Sequence, residues 1–244
     1  MHRRSAAAET VTSLVKGIRH RPANIIPIVM AAILGLGVYG FVAIADEVAE
    51  GEMAEIDERL FLLFREAGNP GQPIGPAWLQ ETAVEVTAIG GYPLIILTLA
   101  AVVGLFLVTK RYGPALYAVL AVGSGALLTH YLKLYYARPR PDLVDHLDVI
   151  HTLSFPSGHA MVTTIAYLTL AALVVRFVED RRVRIYVISV AVFVAMIVGL
   201  SRIYVGVHWP SDVAAGWALG AAWASLSWLV VQLLQYWRSR SRNG

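Results

Sequence analysis

Long apolar stretches alternate with short polar ones along this chain. A helix rises about 1.5 Å per residue, so roughly 20 apolar residues cross a hydrocarbon core about 30 Å thick. Stretches of this length fall at about residues 25–45, 78–108, 114–135, 158–178, 183–204 and 211–237. The pattern therefore predicts an all-α integral membrane protein, a bundle of six transmembrane helices.

The first polar insert, residues 46–78, is acidic and contains a short helical pattern. Its apolar residues fall at helical spacing, at Ile56, Leu60, Leu63 and Phe64. This spacing predicts an amphipathic helix that lies on the bilayer surface. A cleaved secretory signal is the alternative for the first apolar stretch, because Ala43-Ile44-Ala45 has the small-x-small form of a cleavage site. Signal cores are only about 7–15 residues long, so a retained helix is favoured.

Lys and Arg are unevenly divided between the two sides of a six-span bundle. One side carries 14 of them, in residues 1–24, in the loops near residues 110 and 180, and in the tail, and the other side carries 6. Cytoplasmic loops of membrane proteins are enriched in these residues. Both termini are therefore predicted in the cytoplasm, and the acidic insert on the extracytoplasmic side.

Composition excludes several classes of function. The chain has no Cys, which excludes disulfides, thiolate nucleophiles and Cys-ligated metals. Only 15% of the residues are charged, against about 25% in soluble domains. The basic residues flank apolar runs instead of alternating with aromatic residues in a stripe, so no nucleic acid is expected as a partner.

Three polar segments on the predicted extracytoplasmic side combine cations with histidines. They are Lys133 to Pro141 with the spacing Lys-x6-Arg-Pro, Pro156-Ser-Gly-His159, and Ser201-Arg202 followed by His208 and Asp212. Hydrolysis of a phosphate ester requires neutralised oxygens, a nucleophile and a proton for the leaving oxygen. The motif positions in these segments hold three cations (Lys133, Arg140 and Arg202) but one carboxylate, so charge neutralisation by side chains is predicted, with no metal and no other cofactor.

The candidate phosphate ligands are Lys133, Arg140, Ser157, Gly158 and Arg202. Two prolines fix the backbone on both sides of Arg140, which limits the movement of its guanidinium. Ser157 and Gly158 open a predicted helix, where N–H groups and the helix dipole favour an anion. The alternatives are that Lys133 and Arg140 are ordinary interfacial anchors and that Ser157 is a simple N-cap.

In this order, the three segments resemble the motifs of the type-2 phosphatidic acid phosphatase superfamily, which also contains the vanadium haloperoxidases. The resemblance implies a six-helix bundle and a metal-free reaction. It also implies that His208 attacks phosphorus and forms a phosphohistidine, and that Asp212 holds the imidazole in the correct tautomer. His159 is expected to give a proton to the leaving oxygen.

The resulting domain organisation has four parts. They are a basic N-terminus (1–24), two transmembrane helices with the insert (25–113), a catalytic core of four transmembrane helices (114–237) and a basic tail (238–244). The first two helices and the insert are expected to shape the access of substrate to the core.

We therefore expect an integral-membrane lipid phosphatase of the bacterial inner membrane, with its active site on the extracytoplasmic face. The expected partners are a lipid phosphate substrate and membrane lipids, and the oligomeric state is left open. A polyprenyl diphosphate is the favoured substrate. Phosphatidylglycerol phosphate, phosphatidic acid and lipid A phosphate are the alternatives that the resemblance implies.

Other functions fit the sequence less well. A phosphotransferase of the same superfamily would use the same residues but pass phosphate to an acceptor. A transporter would place its charges in mid-span, whereas here they cluster at helix ends. The haloperoxidases are soluble, unlike a chain with these apolar stretches. His146, Asp148 and His151 have a spacing that could bind a metal, but a loop position makes this less favoured.

Overall fold

The computed structural model describes residues 25–144, 147–148 and 152–243, and most of these residues are helical. The helices are α1 (Ile25–Glu50), α2 (Ala54–Leu62), α3 (Ala77–Ile89), α4 (Tyr92–Val108), α5 (Tyr112–Tyr136), α6 (Gly158–Phe177), α7 (Arg181–Tyr204) and α8 (Pro210–Asn243). Two short antiparallel strands, β1 (Arg65–Glu66) and β2 (Asn69–Pro73), form a hairpin after α2. The basic N-terminus predicted for residues 1–24 lies outside the described residues.

Five helices, α1, α5, α6, α7 and α8, are long and apolar enough to cross a membrane. Helices α3 and α4 pass the same test together, although they are bent by 46° at a short break. The predicted class, a helical membrane protein, is therefore confirmed. The number of six spans and the extracytoplasmic position of the insert stay predictions.

The break between α3 and α4 differs from the single helix that the sequence predicts over residues 78–108. It falls at Gly90 and Gly91, and α4 begins with a proline in its first turn. A Cβ at Gly90 would overlap Val198 Cγ1 and lie 2.6 Å from Thr163 Oγ1. The chain turns here because only a glycine lets this backbone approach α6 and α7 so closely.

Helix α8 is placed by close contacts with α1 and α6. A Cβ at Gly216 would lie 2.9 Å from the Ser157 carbonyl oxygen, and one at Gly220 would lie 2.9 Å from the Met161 carbonyl oxygen. These two glycines, spaced by four residues, present a flat strip on which α6 rests within the same chain. The start of α8 is thereby held beside the start of α6, where two of the polar segments lie.

Helix α1 is part of the folded bundle. Phe41 and Ala45 are buried, and the Phe41 ring stacks on Phe155 with 5.8 Å between ring centroids. Phe155 lies directly before the Pro156-Ser-Gly-His159 segment. These contacts favour a retained helix over a cleaved signal.

Helix α2 lies where the sequence predicts an amphipathic helix. Ile56 and Leu60 in this helix, and Leu63 just after it, are exposed, as a helix resting on a bilayer requires. An adjacent face packs against the protein, because Asp57 and Phe61 are buried there. The helix therefore has two contact faces, of which the sequence pattern indicates only one.

The close approach of α6 and α8 makes a first prediction. Gly220→Leu should lower the apparent midpoint of thermal unfolding in detergent, since overpacking a well-filled contact costs about 1–3 kcal/mol. Gly123→Leu is the matched control, because a Cβ at exposed Gly123 in α5 would meet nothing within 4 Å. Equal midpoints for the two variants would contradict the contact.

Candidate active site

The three polar segments meet at one end of the bundle, where α5 and α7 end and α6 and α8 begin. Arg140 Nη1 lies 3.3 Å from His208 Nε2. It also donates a hydrogen bond of 2.5 Å to the Val207 carbonyl oxygen. Lys133 Nζ donates to the carbonyl oxygens of Leu153 and Ser154, which lead into α6. Residues far apart in the sequence thus surround one small volume.

His208 and Asp212 form a buried pair at the start of α8. His208 Nδ1 lies 3.3 Å from Asp212 Oδ2, which also accepts from the Trp209 backbone N–H at 2.9 Å and from Ser154 Oγ at 2.5 Å. A carboxylate can only accept, so its contact favours the tautomer with the proton on Nδ1. The lone pair of His208 then sits on Nε2, which faces Arg140.

His208 is held in its neutral form. Burial is the largest cause, and the positive charges of Lys133, Arg140 and Arg202 add to it, so that the pKa of His208 lies well below its usual value. A neutral imidazole keeps the lone pair that a nucleophile needs. At neutral pH the Nε2 lone pair is therefore available without loss of a proton.

Arg140 keeps its charge although its donors are occupied. Arg140 donates from Nε to the Thr152 carbonyl oxygen at 2.7 Å and from Nη2 to Thr152 Oγ1 at 3.0 Å. Burial, with a smaller effect of Arg202, lowers the pKa of Arg140 to about 10, so it stays charged at neutral pH. Carbonyl dipoles satisfy these donors without cancelling the charge, which leaves a positive field at the site.

Arg202 is fully buried and only partly paired. Its Nη1 donates to Thr87 Oγ1 and to Asp148 Oδ2, both at 2.8 Å. Its Nε and Nη2 are buried and have no hydrogen-bond partner among the residues that the structure describes. Buried donors without an acceptor are costly, so an oxygen-rich anion fits this position.

Asp148, considered above as a metal ligand, has a different partner in the structure. Its carboxylate pairs with Arg202. His146 and His151, the other two members of that group, lie outside the described residues. Within the described ranges, no group of three or more His, Asp or Glu residues is arranged to hold a metal ion.

Ser157, Gly158 and His159 occupy the first turn of α6. Ser157 is its N-cap and accepts from the Ala160 backbone N–H at 3.4 Å, so the capping alternative holds whether or not an anion binds. A Cβ at Gly158 would lie 3.4 Å from Lys133 Cε. His159 lies beside the α3–α4 break and close enough to His208 and Arg202 for their charges to interact.

Sequence reasoning missed several residues that contact the candidates. Arg138 donates from Nη1 to Asp212 Oδ1 and from Nη2 to Asp57 Oδ2, both at 2.7 Å. Ser154 bonds Asp212, and Thr87 bonds Arg202. Only Arg138 could have been recognised in the sequence, because it is a second Arg inside the first segment. Isolated Ser, Thr and Asp residues have no distinctive spacing.

The sequence and fold were compared with known proteins. The profile of the PAP2 superfamily matches residues 114–236, which include all eight candidate residues. Phosphatidylglycerophosphatase B of Bacillus subtilis is 34% identical over 152 residues, covering 59% of this chain and 70% of that protein. Decaprenylphosphoryl-5-phosphoribose phosphatase of Mycobacterium tuberculosis is 38% identical over 109 residues, covering 42% of this chain and 55% of that protein.

The fold is also similar to a solved structure. The crystal structure of a transmembrane PAP2-type phosphatidylglycerolphosphate phosphatase from Bacillus subtilis matches with a TM-score of 0.63 and 28% sequence identity. The match covers 83% of this chain and 94% of that chain. The resemblance found in the three polar segments is thereby confirmed over half of the sequence and most of the fold. The chain belongs to the PAP2 superfamily, and it is a phosphatase with several membrane-spanning helices.

Proposed function

We propose that this phosphatase hydrolyses a lipid phosphomonoester or diphosphate through a phosphohistidine on His208. The single observation that carries the proposal is the pair of buried donors on Arg202 that have no partner among the described residues. Lys133 and Arg140 are close enough to Arg202 for their charges to interact. A dianionic phosphate supplies both the acceptors and the negative charge that such a site requires.

The first half of the reaction breaks the bond between phosphorus and the lipid oxygen. In the proposed reaction His159 starts protonated, because the bound dianionic phosphate offsets the positive charges of Arg202, Lys133 and Arg140 near it. His208 Nε2 gives its lone pair to phosphorus while the leaving oxygen takes that proton from His159, which becomes neutral. The imidazole becomes positively charged as the P–N bond forms, and Asp212 stabilises that charge through Nδ1–H. Lys133, Arg140 and Arg202 balance the charge on the phosphoryl oxygens in the transition state.

The second half returns the enzyme to its starting state. Water attacks phosphorus, and neutral His159 accepts one proton of that water. The P–N bond breaks, its electron pair returns to His208 Nε2, and inorganic phosphate leaves. Each histidine thus ends in the protonation state in which it started.

The substrate class is inferred from the membrane setting and from the relatives. One relative is named for phosphatidylglycerophosphate and another for a decaprenyl phosphoryl sugar, so both glycerolipid and polyprenyl phosphates belong in the proposal. We retain polyprenyl diphosphate as the favoured substrate from the sequence. The site is proposed to open to the extracytoplasmic face, with the lipid chain arriving laterally past the first helices and the insert.

The roles of the two histidines can be separated from that of the carboxylate. His208→Ala should retain less than about a hundredth of the phosphate release, because loss of a nucleophile typically costs several powers of ten. His159→Ala should also be inactive, while Asp212→Asn should keep a measurable remnant. The measurement is phosphate release by purified protein in detergent from undecaprenyl diphosphate, phosphatidylglycerol phosphate, phosphatidic acid and lipid A.

A covalent intermediate gives a direct check on the nucleophile. Substrate labelled on phosphorus and quenched in alkali should leave label on wild-type protein and on Asp212→Asn, but none on His208→Ala. Label that persists in His208→Ala would assign the nucleophile elsewhere. Release from no lipid by folded wild-type protein would contradict the hydrolase proposal and require a test for an acceptor.

Charge neutralisation by side chains also makes a prediction. Phosphate release should be unchanged in excess EDTA, because Lys133, Arg140 and Arg202 take the place that divalent cations hold in metal-dependent phosphatases. The check is to compare rates before and after chelation, with a metal-dependent phosphatase assayed in parallel. A loss in EDTA that added divalent metal restores would refute this mechanism.

The depressed pKa of His208 predicts a pH effect. Protonation removes the nucleophilic lone pair, so activity falls on the acid side as pH drops through that pKa. Removing a neighbouring positive charge raises the pKa of a histidine, so Arg140→Gln should move the acid limb of kcat/KM to higher pH. The ionisation of the substrate is common to both enzymes, so the difference between the two profiles reports the protein. An acid limb at the same pH in both enzymes would argue against the electrostatic coupling of Arg140 and His208.

A further inference from the structure

Asp57 in α2 reaches into the active site from outside the region that the family profile matches. Its side chain is about 1% exposed. Its Oδ1 accepts from the Ser211 backbone N–H at 2.8 Å, and its Oδ2 accepts from Ser211 Oγ at 2.5 Å and from Arg138 Nη2 at 2.7 Å. The other branch of the same guanidinium reaches Asp212 Oδ1 at 2.7 Å.

We propose that Asp57 is a positioning residue for the phosphatase reaction, acting through Arg138 on the carboxylate of Asp212. The inference rests on the proposed function, since it assumes that Asp212 supports the charge that His208 gains. Asp57 itself touches neither His208 nor the phosphate ligands in the contacts described above. Its effect must therefore pass through Arg138 and Ser211.

The geometric part of the argument concerns the orientation of Asp212. Arg138 presents a planar fork, and Asp57 and Asp212 each bind one of its branches. With Oδ1 fixed by Arg138, the second oxygen, Oδ2, is directed at His208 Nδ1 and Ser154 Oγ. A guanidinium held at only one end could rotate about its long side chain, so Asp57 restricts the oxygen that faces the nucleophile.

The electrostatic part concerns net charge. Asp212 and Arg138 alone would form a neutral pair, which gives little support to a positive imidazole. With Asp57 added, the group of two carboxylates and one guanidinium carries one net negative charge. In a buried setting that charge interacts strongly with the cation that develops on His208 when the P–N bond forms.

The surroundings of this group keep water away from it. The Phe61 ring, one helical turn after Asp57, packs on Trp209 with 5.7 Å between ring centroids. The Arg138 guanidinium lies 5.8 Å from the Trp209 ring centroid. Phe61 is fully buried, so apolar packing also docks α2 against the protein. A buried ionic group adds little stability beyond such packing, which points to a role in orienting Asp212.

The test is the variant Asp57→Asn, which keeps the shape and removes the charge. It should lower kcat about tenfold or more while KM changes by less than about twofold, because the substrate contacts stay in place. Glu58→Gln is the matched control: it makes the same charge change one residue along α2, but at an exposed position. This control should keep wild-type kcat and KM.

Measuring the same substitution in Asp212→Asn protein distinguishes a positioning role of Asp57 from a purely structural one. In Asp212→Asn protein, Asp57→Asn should cost less than about twofold in kcat, since the group through which it acts is already disabled. An equal loss in both backgrounds would overturn the proposal, as would wild-type kcat in the single variant. Should Asp57→Asn fail to fold, Arg138→Lys is measured in the same two backgrounds, because a lysine cannot bridge both carboxylates as a fork. It should lose kcat in the native background only, and an equal loss in both would overturn the proposal.

The outcome is distinguishable from failure of the proposed function. If wild-type protein releases no phosphate from any lipid, the hydrolase assignment is wrong and the kcat comparison has no basis. If wild-type protein is active and labelled on His208 while Asp57→Asn matches it, only the positioning role is refuted. Folding of each variant is checked by its elution from size exclusion and its thermal midpoint.

Discussion

Four cations held close together in a medium that solvates charge poorly govern the active end of this bundle. Each is handled differently. Arg138 is paired with carboxylates on both branches, and Arg202 with one carboxylate through one nitrogen. Lys133 and Arg140 donate to backbone carbonyl groups, and Arg140 also to the Thr152 hydroxyl. These oxygens satisfy the donors but do not cancel charge, so repulsion among the cations remains. Under the proposed function, a bound phosphate relieves that repulsion, most strongly in the state in which phosphoryl charge is greatest.

The segment from Thr152 to Ser157 makes this arrangement possible. Its carbonyl groups take the donors of Lys133 and Arg140, the Ser154 side chain bonds Asp212, and Ser157 caps α6. Backbone bonds fix the segment at both ends, because the Ser154 N–H donates to the Arg138 carbonyl oxygen and the Ser157 N–H to the Asp212 carbonyl oxygen. Six residues of irregular chain therefore connect three helix ends. The close contact of Gly216 with α6 holds the starts of α6 and α8 in the same relative position.

Much of this architecture could be predicted from the sequence, and the reasons for the failures are physical. Apolar length identifies the helices because a bilayer imposes a minimum span, and helix ends on one face bring the three segments together. The break at Gly90 was missed because apolar length was followed across residues 78–108, although Gly90, Gly91 and Pro93 are local breaker residues. The approach to Val198 and Thr163, which fixes the bend, is tertiary and has no sequence pattern. Asp57 was missed because one buried acid among exposed neighbours such as Glu55 and Glu58 reads as part of a solvated surface. The buried residues Asp57 and Phe61, four positions apart, were overlooked because Ile56, Leu60 and Leu63 form a more apolar stripe.

The contacts of Asp57 change how the first part of the chain relates to the matched region. Two helices and an insert that only shape the access of substrate would not be expected to place a buried carboxylate against Arg138, which binds Asp212. The Arg138 guanidinium contacts both α2 and Asp212, so the docking of α2 and the orientation of Asp212 are linked equilibria. Under the proposed mechanism, a positive imidazole in the phosphohistidine strengthens the contact of Arg138 with Asp212 and the docking of α2 by the same free energy. Helix α2 is then thermodynamically linked to the candidate site, although it lies outside the matched residues 114–236.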